Sequence, residues 1–154
     1  MVDLGKRIQE DLLISMKSRD EMRLSTLRML KAALQLAQVE KGKDKELAEE
    51  EILAVVQRLI KQRREASEQY RSHGVFDRAD RELDEARILE RYMPEQLGDE
   101  ELASMALEAA IQAGAKSPRD MGSVMGILMP KVKGRAEGGR VRAAVTQILE
   151  QGRP

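Results

Sequence analysis

The 154-residue chain contains no cysteine and no tryptophan, and its only aromatic residues are Tyr70, Tyr92 and Phe76. The lack of cysteine excludes a disulfide framework, a thiolate zinc site and a cysteine nucleophile, and it fits a reducing cytoplasm. Because rings are so few, the core must be built from Leu, Ile, Val, Met and Ala, which favour helices as a group. The amino terminus lacks an apolar leader, and no apolar run approaches the roughly 18 residues that span a bilayer. We therefore expect a cytoplasmic all-α protein without a membrane partner.

Acidic and basic residues balance over the whole chain, at 27 each, but they are unevenly placed. From Gly114 onward, eight Lys and Arg face three Asp and Glu, so this end has an excess of five positive charges. Residues 1–113 have the opposite excess, with 19 basic against 24 acidic residues. Such an asymmetry is an argument about partners rather than about fold.

Helical periodicity, with no strand pattern anywhere, predicts four helices before Pro94. They are expected over about residues 4–18, 20–40, 48–72 and 77–93. Asp3 and Asp20 are the predicted N-caps of the first two helices. Met16 belongs to the predicted inner stripe of the first helix, and Arg63 is expected to lie largely outward on the third.

The run from Met93 to Gly98 predicts a hinge, because a proline and a glycine leave no room for a continuous helix. We place the domain boundary there, with domains at residues 1–95 and 96–154. Three more helices follow in the second domain. The first is predicted to begin at the N-cap Asp99 and the next at the Ser117-Pro118-Arg119-Asp120 sequence, while the last follows Gly138-Gly139.

Several features of the pattern have a functional and a structural interpretation. A methionine stripe on the sixth helix could form an adaptable partner groove, but this spacing is far more often core; it comprises Met121, Met125 and Met129. Gly122 and Gly126 could admit a ligand backbone, yet close helix packing is the favoured interpretation. His73, the sole histidine, is expected to cap the third helix rather than to catalyse.

The basic glycine-rich segment between the last two helices is evenly balanced between two interpretations. Its glycines could let backbone amides approach an anion where a helix N-terminus already favours one. The same composition would also suit a solvated connection between helices. The candidate phosphate ligands are Lys131, Lys133, Arg135, Arg140 and Arg142.

The sequence offers little for catalysis. It has no Gly-x-Ser-x-Gly elbow and no pair of histidines for a metal, and Ser117 and Ser123 lie in helix-start positions. The double glycine lacks the Gly-Lys-Ser or Gly-Lys-Thr of a nucleotide P-loop, so the implied phosphate belongs to a backbone rather than to ATP. We therefore expect no catalytic residues, no cofactor and no metal, although spacing alone does not exclude paired carboxylates on a helical bundle.

Taken together, several short segments resemble the YqeY family of small bacterial proteins almost from end to end. The carboxy-terminal half of this family is similar to the tail domain of GatB, the B subunit of the glutamine-dependent aspartyl/glutamyl-tRNA amidotransferase. The matching segments are Arg23-Leu24-Ser25-Thr26-Leu27-Arg28-Met29-Leu30, Tyr70 with Gly74, Asp77, Glu82 and Glu85, Tyr92-Met93-Pro94-Glu95-Gln96-Leu97, Asp120-Met121-Gly122, Val124-Met125 and Lys131-Val132-Lys133-Gly134-Arg135-Ala136.

The resemblance implies an amino-terminal four-helix bundle followed by a small three-helix domain similar to the GatB tail. In the amidotransferase this tail grips tRNA and is not the catalytic part, so Lys131, Lys133 and Arg135 become the implied RNA ligands, with Arg140 and Arg142 nearby. The sequence departs from the family pattern at Val75, where Arg is common, at Glu137, where Asp is usual, and near Arg142, where Asn is frequent. The change at position 75 argues against an anion site in the 74–77 turn.

We expect a non-catalytic protein that binds tRNA or another structured RNA, with an amino-terminal bundle that orients it or meets a protein partner. The first alternative is a protein-binding adaptor of the amidotransferase or of the translation machinery. The second, favoured least, is a carbon–nitrogen ligase with glutamine as amido donor, which the family resemblance suggests but for which the sequence has no catalytic constellation.

Overall fold

A computed structural model describes residues 3–151, and over that range it contains seven α-helices, one short 3₁₀ helix and no strand. In chain order the helices are α1 (Leu4–Ser18), α2 (Glu21–Lys41), α3 (Glu49–Ser72), α4 (Phe76–Glu90), α5 (Asp99–Ala113), the 3₁₀ helix (Pro118–Asp120), α6 (Met121–Val132) and α7 (Gly138–Glu150). The prediction of an all-α protein is confirmed. The chain divides into two compact units: unit 1 ends at Met93, and unit 2 begins at Pro94.

Unit 1 consists of α1 to α4 around a core of aliphatic side chains. The most deeply buried of these, at 0% exposure, are Leu27, Leu30, Val56 and Leu89. The two predicted N-caps are confirmed, because Asp3 accepts a hydrogen bond from the Gly5 amide at 2.9 Å and Asp20 accepts one from the Arg23 amide at 3.1 Å. These bonds satisfy amides that have no partner inside the helix.

The predicted inner stripe of α1 is wrong at its fourth position. Met16 is half exposed, at 50%, whereas Ser15 is fully buried and donates its hydroxyl hydrogen bond to the Asp11 carbonyl at 2.7 Å. A spacing of four residues drifts by about 40° per step around a helix of 3.6 residues per turn. After three such steps the side chain has left the face that packs on the core.

The predicted end of α4 is also wrong, because the helix ends at Glu90 rather than at Met93. The amides of Tyr92 and Met93 instead bond to carbonyls three residues back, at 3.1 Å each. A residue before proline is disfavoured in the α conformation, so the chain leaves the helix early. The buried Tyr92 then donates a hydrogen bond from its hydroxyl to Asp11 Oδ2 at 2.6 Å, and the Arg7 guanidinium lies 5.1 Å from its ring centroid. Burial, followed by the Asp11 carboxylate, raises the pKa of the Tyr92 hydroxyl.

The turn between α3 and α4 follows the predicted stop signals. Gly74 has φ +74°, a left-handed conformation that glycine adopts without steric cost. The ring Nδ1 of His73 lies 2.8 Å from the Gln69 carbonyl, to which it donates, near the negative end of the α3 dipole. The capping role predicted for His73 is confirmed.

Unit 2 packs α5, α6 and α7 around smaller side chains than those of unit 1. The residues with 0% exposure are Ala106, Ala110, Val124, Leu128, Val132, Val141 and Val145. The predicted N-cap of α5 is wrong by one residue: Gly98 is the N-cap, and Asp99 is the first residue of the helix. The predicted start of the next helix is a 3₁₀ turn, in which Asp120 Oδ2 accepts hydrogen bonds from the amides of Lys116 at 2.8 Å and Ser117 at 3.2 Å.

The methionines of α6 lie at the margin of the core, because Val124, Leu128 and Val132 occupy its centre. The packing interpretation of Gly122 and Gly126 is wrong. Both glycines are exposed, and a Cβ built at either one would meet no heavy atom within 4 Å. They lie on the face of α6 opposite Val124, so no helix approaches them.

Candidate functional site

The basic segment begins in the last turn of α6 and is anchored by apolar residues between its charges. Lys131 and Lys133 are exposed, whereas Val132 between them is fully buried and Ala136 is 3% exposed. The Val132 carbonyl accepts hydrogen bonds from the amides of Arg135 at 2.8 Å and Ala136 at 3.1 Å. Because two of its residues are seated in the core, this segment is a fixed support for its charged side chains rather than only a solvated connection.

The connecting segment, which we define as residues 95–99, is bound to this basic loop by backbone and side-chain contacts. The Leu97 amide donates to the Arg135 carbonyl at 2.8 Å, and Gln96 Nε2 donates to the Gly134 carbonyl at 2.9 Å. Arg135 Nε donates in return to the Glu95 carbonyl at 3.4 Å. Part of the hydrogen-bonding capacity of Arg135 is therefore used within the fold.

Arg140 makes two hydrogen bonds within unit 2. Its Nη2 donates to the Leu97 carbonyl at 3.0 Å and to Asp99 Oδ1 at 2.7 Å. The acceptors belong to the same connecting segment that Arg135 contacts. The structure thus brings Arg135 and Arg140 together on residues 95–99.

The start of α7 is open. Glu137 is its N-cap but makes no side-chain capping bond, and the first turn contains no acidic residue. A Cβ built at Gly138 would meet nothing within 4 Å, whereas one built at Gly139 would lie 3.8 Å from Glu137 Oε1. Arg142 lies one turn beyond Gly138 on the same face of α7. This arrangement places the positive end of a helix dipole and a guanidinium within the first two turns of α7.

Lys131 and Arg142 differ from Arg135 and Arg140, which we call the clamped arginines because they hydrogen-bond to residues 95–99. Within residues 3–151 neither side chain makes a hydrogen bond or an ion pair, and both are exposed. Lys133 is exposed but has an interaction of its own. The predicted set therefore has three parts. Arg135 and Arg140 also shape the loop, Lys133 has an interaction of its own, and Lys131 and Arg142 have charges that are available to a partner.

A cluster in unit 1 was missed by the sequence analysis. Arg63, which was expected to lie outward, is half-buried, and its Nε lies 3.2 Å from Glu85 Oε2 and 3.7 Å from Glu82 Oε2, while its Nη2 contacts the Met29 sulfur. Neither Arg63 Nε nor Glu82 Oε2 makes an aligned hydrogen bond to another described residue. Burial, and then the neighbouring Glu85, raises the pKa of Glu82.

Helical spacing contained the signal for this cluster. Arg63 follows the buried Leu59 by four residues, and Glu82 and Glu85 precede the buried Ala86 and Leu89 by four. Residues four apart share a face of a helix, so all three charges lie on inward stripes. The expectation of an outward Arg63 relied on the polarity of its neighbours instead of its phase.

The described part of the chain contains neither a membrane-spanning helix nor a cluster of metal-ligating side chains. Over residues 3–151 no helix is long and apolar enough to cross a membrane. In the same range no group of three or more His, Cys, Asp or Glu side chains could hold a metal ion.

Comparison with known proteins gives one family and one named relative. A family model described as Yqey-like protein matches residues 5–149. A protein of Pyrenophora tritici-repentis (strain Pt-1C-BFP), named "Altered inheritance of mitochondria protein 41, mitochondrial", is 26% identical over 132 residues. The alignment covers 84% of this chain and 71% of the fungal protein.

Proposed function

This chain belongs to the YqeY family, and on that premise we propose that unit 2 binds the phosphate backbone of tRNA or another structured RNA without catalysing a reaction itself. The observation that carries the proposal is that the cations Lys131 and Arg142 are exposed and make no hydrogen bond or ion pair among residues 3–151, in a unit where the start of α7 is also exposed. Cations without an internal partner and the positive end of a helix dipole are both suited to phosphate oxygens.

The chemistry of unit 2 also favours folded RNA over single strands. No aromatic residue follows Tyr92 in the sequence, so unit 2 has no ring on which an unstacked base could stack. Its cations can meet phosphates whatever the base sequence. Recognition is therefore by the shape of a folded backbone.

The proposal predicts a clear preference between two ligands of purified full-length protein. Fluorescence anisotropy at one fixed salt concentration should give tighter binding to bulk tRNA than to an unstructured oligonucleotide of equal length. Equal affinities for the two ligands would contradict recognition by shape. Ammonia release from glutamine, measured in the same preparation, should be absent; reproducible turnover would instead support the carbon–nitrogen ligase alternative.

A second candidate function, a protein-binding adaptor, is favoured by the surface of unit 1. Large apolar side chains stand exposed on α1 and α2: Leu13 at 52%, Ile14 at 53%, Leu36 at 59% and Val39 at 66%. Exposed apolar residues can mark contact surfaces when they adjoin one another. A protein partner that co-purifies after nuclease treatment, and is lost on replacing Leu36 and Val39 by Ser, would support this function.

A further inference from the structure

We propose that Arg140 forms a phosphate subsite that Asp99 occupies when no RNA is bound. The inference rests on the proposed function of unit 2 and specifies how its site is regulated. The carboxylate of Asp99 is an internal anion, and an RNA phosphate would replace it on the guanidinium.

Arg140 is positioned independently of Asp99. Its Nη2 donates to the Leu97 carbonyl at 3.0 Å as well as to Asp99. Leu97 is 2% exposed, and its amide donates to the Arg135 carbonyl, so this carbonyl is fixed to the core of unit 2. The guanidinium would therefore keep its place after the carboxylate leaves.

Asp99, in contrast, is weakly held. Its side chain is 94% exposed, and its Oδ1 lies 2.7 Å from Arg140 Nη2. Within the described residues 3–151, this contact to Arg140 is the only hydrogen bond or ion pair of its carboxylate. An ion pair this exposed contributes little to stability, so a competing anion displaces it easily.

A phosphate has the chemistry to compete for this arginine. Carboxylate and phosphate oxygens both accept charge-assisted hydrogen bonds from a guanidinium, and the planar fork suits a phosphate that presents two oxygens. A polyanion that also contacts Lys131 or the start of α7 has further contacts that Asp99 lacks. Displacement of Asp99 is thus coupled to binding elsewhere on unit 2.

Glu100 provides a matched control. It lies in the same first turn of α5, is exposed, carries the same charge and makes no hydrogen bond or ion pair among residues 3–151. Removing a negative charge from this turn should favour any polyanion slightly, at either position. Only Asp99→Asn also removes the negative charge that pairs with the guanidinium.

The test compares tRNA binding by the full chain in five forms: wild type, Asp99→Asn, Glu100→Gln, Arg140→Lys and the Asp99→Asn/Arg140→Lys double variant. Asp99→Asn should bind about threefold to tenfold more tightly with an unchanged salt slope, because Arg140 meets a phosphate in both complexes and the substitution removes only the competing carboxylate. Glu100→Gln should change affinity by less than about twofold. In the Arg140→Lys background the gain from Asp99→Asn should shrink to the size of the Glu100→Gln effect, because lysine lacks the fork.

Equal gains in Asp99→Asn and Glu100→Gln would overturn the inference and leave only general electrostatics. So would a full gain from Asp99→Asn in the Arg140→Lys background. Far-UV circular dichroism and the melting temperature verify that each variant is folded. These failures are distinct from failure of the proposed function, in which the wild type itself would not bind tRNA.

Discussion

The two units use their charged residues in different ways. In unit 1, charges on neighbouring helices pair with one another, as in the half-buried contact of 3.2 Å between Arg63 and Glu85. In unit 2, Lys131 and Arg142 have no partner among residues 3–151, and the ion pair of Arg140 involves a carboxylate that is almost fully exposed. A count of charges therefore does not identify a binding surface. What matters is which charges the fold leaves without an internal partner and what surrounds them, since Arg28 and Lys31 of unit 1 are also exposed and unpaired among residues 3–151.

The two cores also differ. Unit 1 buries Leu, Ile and Val together with a tyrosine, whereas unit 2 relies on Ala and Val with a few Leu and Ile residues. Each core is made of residues from its own unit. Because the cores are separate, we expect each unit to unfold with its own stability. A large core substitution in one unit at a time tests this expectation.

Leu30→Ala in unit 1 and Leu128→Ala in unit 2 should each lower the free energy of unfolding of their own unit by about 3–5 kcal/mol, because both side chains are fully buried. Urea unfolding followed by hydrogen exchange at amides of each unit measures this. The unit without the substitution should keep its own midpoint. Equal losses in both units from either substitution would show that the chain unfolds as one cooperative body.

Arg63→Ala should destabilise unit 1 by about 2–4 kcal/mol at pH 7, because it leaves Glu82 and Glu85 half-buried without their cation. Burial raises the pKa of Glu82, so the Glu82 carboxyl binds its proton more tightly in the folded state than in the unfolded state. The deficit should therefore shrink as pH falls from 7 toward the usual Glu pKa of about 4.3, where protonated carboxyls need no cation.

The neighbouring Arg64→Ala is the control for this substitution. The Arg64 side chain is 60% exposed and pairs with Glu90, so its loss should cost less than about 1 kcal/mol. Equal losses of stability from Arg63→Ala and Arg64→Ala would contradict the distinction between a half-buried ion pair and an ion pair at the surface.

The smallest predicted effect concerns the start of α6. Hydrogen bonds from the amides of Lys116 and Ser117 lower the pKa of Asp120 below its ordinary value of 3.8. This carboxylate therefore contributes stability that is present above that pH and is lost as pH falls through the lower folded-state pKa. Asp120→Asn should unfold slightly more easily than the wild type at pH 7 and equally at pH 2. A difference that persists at pH 2 would assign the effect to packing instead.

Periodicity and end signals predicted the helices well, because capping and apolar phase are local properties of the chain. The inward residues Val141, Val145, Ile148 and Leu149 of α7 are buried as predicted. The errors at Met16, at the end of α4 and at the start of α5 concern helical phase or end position, whereas the error at Gly122 and Gly126 arose where a tertiary partner decides. The sequence shows two glycines four residues apart, Gly122 and Gly126. It does not show whether another helix packs against them.

The candidate site also shows that the sequence pattern does not reveal tertiary contacts. Lys131, Lys133, Arg135, Arg140 and Arg142 look alike in the sequence, since each is a cation in a glycine-rich basic segment. The contacts of Arg140 with Leu97 and Asp99 join residues more than forty positions apart. Local pattern contains no information about such pairing, so the division between clamped and available cations required the structure.

The most direct test of the central claim is the salt dependence of tRNA binding by wild type and by the Lys131→Ala/Arg142→Ala double variant. Each lost phosphate contact removes about 0.7–0.9 from the slope of log affinity against log salt, so the double variant should lose about 1.4–1.8. The control is Arg28→Ala/Lys31→Ala, which removes two exposed cations of unit 1 and should leave the slope unchanged. A slope that is unchanged in the first variant, or reduced equally in both, would contradict the assignment of RNA binding to unit 2.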